Sequence, residues 1–293
     1  MAAEQQIPAE PAVRKSRAGR DLPAAILVGL GLATTVVLTL LFWNWGFVLL
    51  VTAMLTLGTF ELHDALKRIG MNSAVAPIMV GTVAVICGSY AAATQEGTNA
   101  VPWHSVLLGF LGATVLAALV WRMPGGSAGY VKDSAASLFT IGYIPLLGSF
   151  TSLILAAPNG SAKMATILLV VMGTDTGGYA VGARIGKHPM APQISPKKTW
   201  EGMGGSVALA SAVAVPLTIW WLNAAWWIGL VLALSIVAAG TCGDLIESLI
   251  KRDVGIKDMS SFLPGHGGAM DRLDSILVAA PVAWLLLFLL IPN

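Results

Sequence analysis

The feature that most constrains this chain is the recurrence of apolar runs about 20 residues long, the length a helix needs to cross the hydrocarbon core of a bilayer. They fall at 24–42, 45–62, 74–93, 101–121, 135–157, 164–181, 203–222, 225–250 and 276–291. Few charges lie between them: of the 293 residues, 56% are hydrophobic and 11% charged, against about 25% charged in soluble domains. An ordinary soluble enzyme is excluded. The expected fold is all-α, an integral membrane protein with about nine transmembrane helices and too little remaining sequence for a large extramembrane domain. Residues 1–21, with Pro, Glu, Gln and Arg, read as a polar arm, disordered and retained. Residues 22–160 hold the first five helices, and residues 161–293 hold helices six to nine.

Charge sets the orientation, because cytoplasmic loops carry the excess of lysine and arginine. With the amino terminus cytoplasmic and the carboxyl terminus outside, every one of the 17 basic residues except Lys163 falls on the cytoplasmic side. The opposite loop 94–102 has none. Cys87 and Cys242 lie far apart in apolar stretches and form no disulfide framework. Glycine, at 32 residues, suits close helix approach in lipid and allows a homodimer.

Polar chemistry concentrates in the second half. Asp175 stands inside the sixth run in Gly173-Thr174-Asp175-Thr176-Gly177-Gly178-Tyr179, where a carboxylate is costly unless paired, solvated or metal-bound. It reads either as a functional group or as an ion-pair partner of Arg184. Gly178, Gly182 and Gly186 recur every fourth residue and suit helix packing. The segment Ser195-Pro196-Lys197-Lys198-Thr199 offers point charges flanked by hydroxyls, a phosphate grip or an ordinary positive-inside loop. It lacks the glycine-rich lead of a Walker A loop.

The eighth run ends with Asp244, Glu247, Ser248 and Lys251 at offsets that put them on one helix face. Such a stripe faces protein, ion or water rather than lipid. Across the following loop, Asp271 and Asp274 are one helical turn apart and can face the stripe, although acids also favour a helix start through its dipole. Hard oxygen ligands beside lysines and arginines suit a divalent cation with phosphate, and magnesium takes one or two carboxylates with water and phosphate completing its shell. The four histidines share no zinc-ligand spacing. His266 reads equally as a phosphate contact or as loop architecture.

These residues, in the order Ser248-Leu249-Ile250-Lys251-Arg252, Lys257-Asp258, Leu263-Pro264-Gly265-His266-Gly267-Gly268 and Asp271-Arg272-Leu273-Asp274, resemble the signature of the phosphatidate cytidylyltransferases, the CDP-diacylglycerol synthases. The upstream blocks around Asp175 and Ser195-Pro196-Lys197-Lys198 resemble that family's other motifs, so the likeness covers about residues 173–275. It implies an enzyme of phospholipid biosynthesis that makes CDP-diacylglycerol and pyrophosphate from CTP and phosphatidic acid, with Mg2+ and room for a second cation. Its partners would be these substrates and membrane lipid, with no nucleic acid, and its place the bacterial plasma membrane with the site facing the cytoplasm. On that reading Asp244 and Asp271 are first-choice metal ligands, with Asp274 and Asp175 supporting or holding a second ion. Lys251 and Arg252 join Asp244 and Asp271 as catalytic residues. Ser195, Lys197, Lys198, Ser248, Lys257, His266, Gly267 and Arg272 bind substrate, the 264–268 loop approaching the nucleotide through its backbone. An anionic-solute carrier would use the same intramembrane Asp and Lys without turning over CTP. A CTP-dependent lipid kinase would differ in its product.

Overall fold

The computed structural model describes residues 22–95, 101–260, 262 and 267–291, with side chains from residue 26 onward. Among the described residues, ten α-helices and one two-stranded hairpin follow in chain order. They are α1 (Leu22–Phe42), α2 (Asn44–Arg68), α3 (Val75–Ala93), α4 (Trp103–Arg122), α5 (Tyr130–Ile141), α6 (Leu147–Ala156), α7 (Gly160–Ile185), β1 (Pro189–Ala191), β2 (Ser195–Thr199), α8 (Trp200–Trp220), α9 (Trp226–Val254) and α10 (Met270–Leu290). Eight helical stretches are long and apolar enough to cross a membrane, and the shorter apolar stretch Ile26–Phe42 stands at the first expected run. The protein is therefore an all-α membrane protein. The polar arm 1–21 lies outside the described residues.

The helices outrun the apolar runs because polar ends continue the backbone hydrogen bonding. The fifth span runs as one piece from Tyr130 to Ala156, but a π turn at Gly142–Leu146 divides it into α5 and α6. Pro145 lies inside that turn; it has no N–H to donate, and the wider turn takes up the break. The helix that holds the ninth apolar run begins at Met270, so Asp271 and Asp274 occupy the first turns of α10, at the start of the span as expected.

Large apolar side chains face outward, among them Leu41, Phe42, Leu108, Leu116, Trp220, Trp226 and Phe288. In water such a surface would drive association, whereas in lipid it is the expected boundary. Inside, Leu55, Leu62, Ile86, Ile144, Ile167, Leu232, Ile236 and Leu277 form one continuous core.

Two helix contacts build the half of the protein that carries the motifs. At α7 and α8, backbone meets backbone: a Cβ on Gly177 would lie 2.4 Å from the Gly205 carbonyl, and one on Gly205 would lie 2.5 Å from the Gly177 carbonyl. Gly178 and Gly182 continue the seam against Ser206 and Gly202, and Ser206 Oγ donates to the Thr174 carbonyl at 2.7 Å. The four-residue glycine repeat is thus a packing device. At α9 and α10, a Cβ on Gly243 would strike the Asp274 carbonyl at 2.4 Å, so only glycine lets α10 lie this close beside Asp244.

The segment between α7 and α8, expected to be a loop, instead forms the antiparallel β1–β2 hairpin, with Ala191 opposite Ser195 and Pro189 opposite Thr199. Glu201 fixes it to α8: its carboxylate accepts from the backbone N–H groups of Lys187 and His188 at 3.1 and 3.2 Å and contacts His188 Nδ1 at 2.5 Å. Thr199 caps α8 by accepting from Gly202 N at 3.1 Å, so its hydroxyl has a structural task.

Candidate active site

Antiparallel packing of α9 on α10 places two acids of one helix opposite two of the other. Asp244 lies against Asp274, and Glu247 lies against Asp271, each pair in side-chain contact. Both helices space their acids three residues apart, so successive turns stay in register and four carboxyl groups form a short ladder. Like charges at contact distance cannot all stay ionised without protons or cations between them.

Two lysines pair with the acids of the ladder. Lys198 on β2 pairs with Asp244. Lys251, one turn beyond Glu247, pairs with Glu247 and with Asp271 Oδ1, the latter at 2.7 Å. Asp271 Oδ2 also accepts from Met259 N at 3.0 Å and Gly268 N at 2.9 Å. Glu247 is only 1% exposed, and its Oε1 has no hydrogen-bond partner among the described residues.

Asp175 is exposed although it lies well inside the long helix α7. Its charged neighbours are Asp244, Lys198 and Arg272, not the Arg184 considered from the sequence; Arg184 Nη1 instead donates to the Ala180 carbonyl at 3.0 Å. A carboxylate inside an apolar helix is costly unless polar groups accompany it, and here Asp244 of α9, Arg272 of α10 and Lys198 of β2 are those groups.

The other residues singled out from the sequence divide by position. Arg272 is exposed beside the ladder. Ser248 is half-buried on the same α9 stripe, and Ser195 is half-buried on β2. Lys197 is exposed, on the opposite side of the strand from Lys198. Arg252 is exposed, and its Nε points to the Ile194 carbonyl at 3.5 Å, toward the hairpin. Lys257 is exposed in the turn after α9. His266 and residues 263–265 lie outside the described residues. Gly267 adopts φ +78°, and a Cβ there would sit 2.9 Å from Asp271 Oδ2, so its local role is to let the chain close over that carboxylate.

Glu61 on α2 is a site-shaping residue that the sequence reading passed over. It is 3% exposed and accepts from Ala269 N at 2.9 Å, Met270 N at 2.8 Å and Ser260 Oγ at 2.5 Å. A Cβ on Gly268 would lie 2.6 Å from its Oε2. This carboxylate satisfies orphan donors at the start of α10 and holds the turn that presents Asp271. The available signal was the one that exposed Asp175, an acid inside an apolar run.

The ladder also suits a magnesium ion. Among the described residues no three acidic, histidine or cysteine side chains enclose a metal by themselves, but magnesium asks for only one or two carboxylates and retains water and substrate phosphates. The apposed Asp244 and Asp274 offer such a pair, and the unpartnered Glu247 oxygen can accept from a bound water.

A bundle of apolar helices in which four acids of α9 and α10 meet two lysines defines a membrane protein with a charged site inside an apolar frame. The profile of the cytidylyltransferase family matches residues 23–290, and the chain belongs to that family. It is 37% identical to a phosphatidate cytidylyltransferase of Mycobacterium bovis, over 96% of this chain and 93% of that protein. It is 36% identical to one of Mycobacterium leprae, over 94% and 90%. A Pseudomonas aeruginosa phosphatidate cytidylyltransferase is 35% identical over 58% of this chain and 67% of its own length.

Proposed function

We infer that this chain transfers a cytidylyl group from CTP to phosphatidic acid, forming CDP-diacylglycerol and pyrophosphate. The observation that carries the reading is the carboxyl ladder of α9 and α10 flanked by Lys198 and Lys251, in a chain whose relatives bear that activity's name. A phosphate oxygen of phosphatidic acid attacks the α-phosphorus of CTP, the bond to the bridging oxygen of the β-phosphate breaks, and pyrophosphate leaves with the electron pair. The attacking phosphate is already anionic, so no strong base is needed. What the protein supplies is alignment and charge compensation. Asp244, Asp271 and Asp274 would hold magnesium, which when bound neutralises triphosphate charge and polarises the reacting phosphate. Lys198, Lys251 and Arg272 bind phosphate oxygens, and the fixed backbone around Asp271 keeps these groups in place.

The test is incubation of the purified protein with CTP, phosphatidic acid and magnesium in two labelled forms. Label at the α-phosphorus should appear in lipid, with pyrophosphate released in equal amount, and label at the γ-phosphorus should not. Transfer of γ-label alone would make the chain a lipid kinase, and no turnover would favour a carrier.

The basic ends of α2, α4, α7 and α9, together with the hairpin, are assigned to the cytoplasmic side. CTP would then enter from the cytosol, while phosphatidic acid arrives from the inner leaflet with its acyl chains still in lipid. Moving those chains into water would cost about 0.8 kcal/mol per methylene. Single cysteines at the exposed positions Gln95 and Asp258, in a background lacking Cys87 and Cys242, should react with a membrane-impermeant reagent from opposite faces. Asp258 should label only when the cytoplasmic face is open. Labelling of both from one face would overturn the orientation and the odd span count.

A further inference from the structure

Glu61 ties α2, in the first half of the chain, to both ends of the connection between α9 and α10. Its Oε1 accepts from Ser260 Oγ at 2.5 Å and from Ala269 N at 2.9 Å, and its Oε2 accepts from Met270 N at 2.8 Å. Asp271 grips the same two stretches: its Oδ2 accepts from Met259 N at 3.0 Å and from Gly268 N at 2.9 Å. Each residue held by Asp271 is therefore the chain neighbour of one held by Glu61, Met259 beside Ser260 and Gly268 beside Ala269. Only φ and ψ are soft between such neighbours, so the groups that Glu61 grips set the place of the two N–H groups that hold Asp271. The other oxygen of Asp271 accepts from Lys251 Nζ at 2.7 Å, which joins the ladder to this network.

Packing alone does not account for an acid here. Elsewhere on α2 the inward residues are apolar or small: a Cβ on Gly58 would lie 3.5 Å from Met270 Sδ, and Leu55 and Leu62 belong to the common core. A buried carboxylate is costly unless its lone pairs are filled. Glu61, 3% exposed, fills them with one hydroxyl and two backbone N–H groups. Gly268 leaves the space this needs, since a Cβ there would lie 2.6 Å from Oε2. The acid thus holds backbone rather than neutralising a neighbouring charge, and a satisfied buried network of this kind fixes a single arrangement.

We propose that Glu61 is a positioning residue for the cation site, acting through Ser260, Ala269 and Met270 to hold the Asp271 carboxylate in the place from which it binds the ion. This rests on the magnesium reading given above. Partners that orient a ligating carboxylate raise its affinity for the ion, and their loss weakens binding without abolishing it.

The experiment measures Mn2+ binding to the purified full-length protein, without CTP, by the electron paramagnetic resonance of free Mn2+. In Glu61→Gln one oxygen becomes an NH2 group, which cannot accept from a backbone N–H. The Mn2+ dissociation constant should rise about three- to ten-fold, and the magnesium concentration for half-maximal turnover should rise by the same factor. At saturating magnesium, kcat should return to within about three-fold of the unsubstituted protein. Ser260→Ala releases one end of the connection and leaves the start of α10 held, so its constant should rise about two- to three-fold. In the doubly substituted protein the two effects should fall short of additive, because both act through one carboxylate. Asp133→Asn alters another buried acid, 4% exposed and bound to Asn72 N at 2.7 Å and Arg122 Nε at 2.6 Å; it should lower thermal stability and leave Mn2+ binding unchanged. Unaltered Mn2+ affinity in a folded Glu61→Gln protein overturns the proposal, as does an equal loss of affinity in Asp133→Asn, which would report general loosening. Should the glutamine protein not fold, unaltered affinity in Ser260→Ala overturns it. Failure of the unsubstituted protein to bind Mn2+ would remove the magnesium reading, and this inference with it.

Discussion

Asp244→Asn should lower turnover of CTP by about 100-fold or more, the scale on which loss of one preorganised electrostatic contact to phosphoryl chemistry is felt. The amide keeps the shape of the side chain and can still accept from Lys198, so the hairpin should remain docked on α9. What disappears is one of the two charges that Asp244 and Asp274 bring together. Magnesium affinity should fall with the rate, while the purified protein should elute and melt as the unsubstituted one does. Asp244 suits this test better than Asp271, whose carboxylate also accepts from Met259 N and Gly268 N, so an amide there would disturb the loop as well as the charge. Turnover within a few-fold of the unsubstituted protein, at any magnesium concentration, would remove Asp244 from the ion site.

What could be read from the sequence follows from which interactions are local. Apolar runs long enough to span lipid are visible without any knowledge of their neighbours, and all of the expected runs coincide with helices, counting α5 and α6 as one. The helices run past their apolar stretches where capping and tertiary contacts extend them, as at Met270, whose N–H is held by Glu61 from 209 positions earlier in the chain. The polar stripe on α9 was legible from helical spacing alone. Its pairing with α10 was not, because the register of Asp244 with Asp274 depends on the close approach at Gly243. The β1–β2 hairpin escaped because Pro189, Pro192 and Pro196 punctuate a short polar segment with no alternating apolar face.

Lys251→Ala carries the largest expected loss, because this lysine is the partner of two acids that are nearly buried. The side chains of Glu247 and Asp271 are 2% and 8% exposed, and without the ammonium group they face one another uncompensated. Breaking a buried ion pair by removing one partner costs about 3–5 kcal/mol, so thermal stability should fall, and CTP turnover should fall by about 100-fold or more. Lys67→Ala, at the exposed end of α2, should change neither by more than about two-fold in rate or 0.5 kcal/mol. A second substitution separates the two roles of Lys251. In Lys251→Ala/Glu247→Gln one of the two negative charges is also gone, and Asp271 keeps its bonds from Met259 N and Gly268 N, so stability should recover in large part. If Lys251 binds triphosphate oxygens, turnover should stay low in the recovered protein, because neither glutamine nor alanine can supply a positive charge. Return of turnover together with stability would mean that the lysine serves only to neutralise Glu247, and that phosphate is gripped by Lys198 and Arg272 alone.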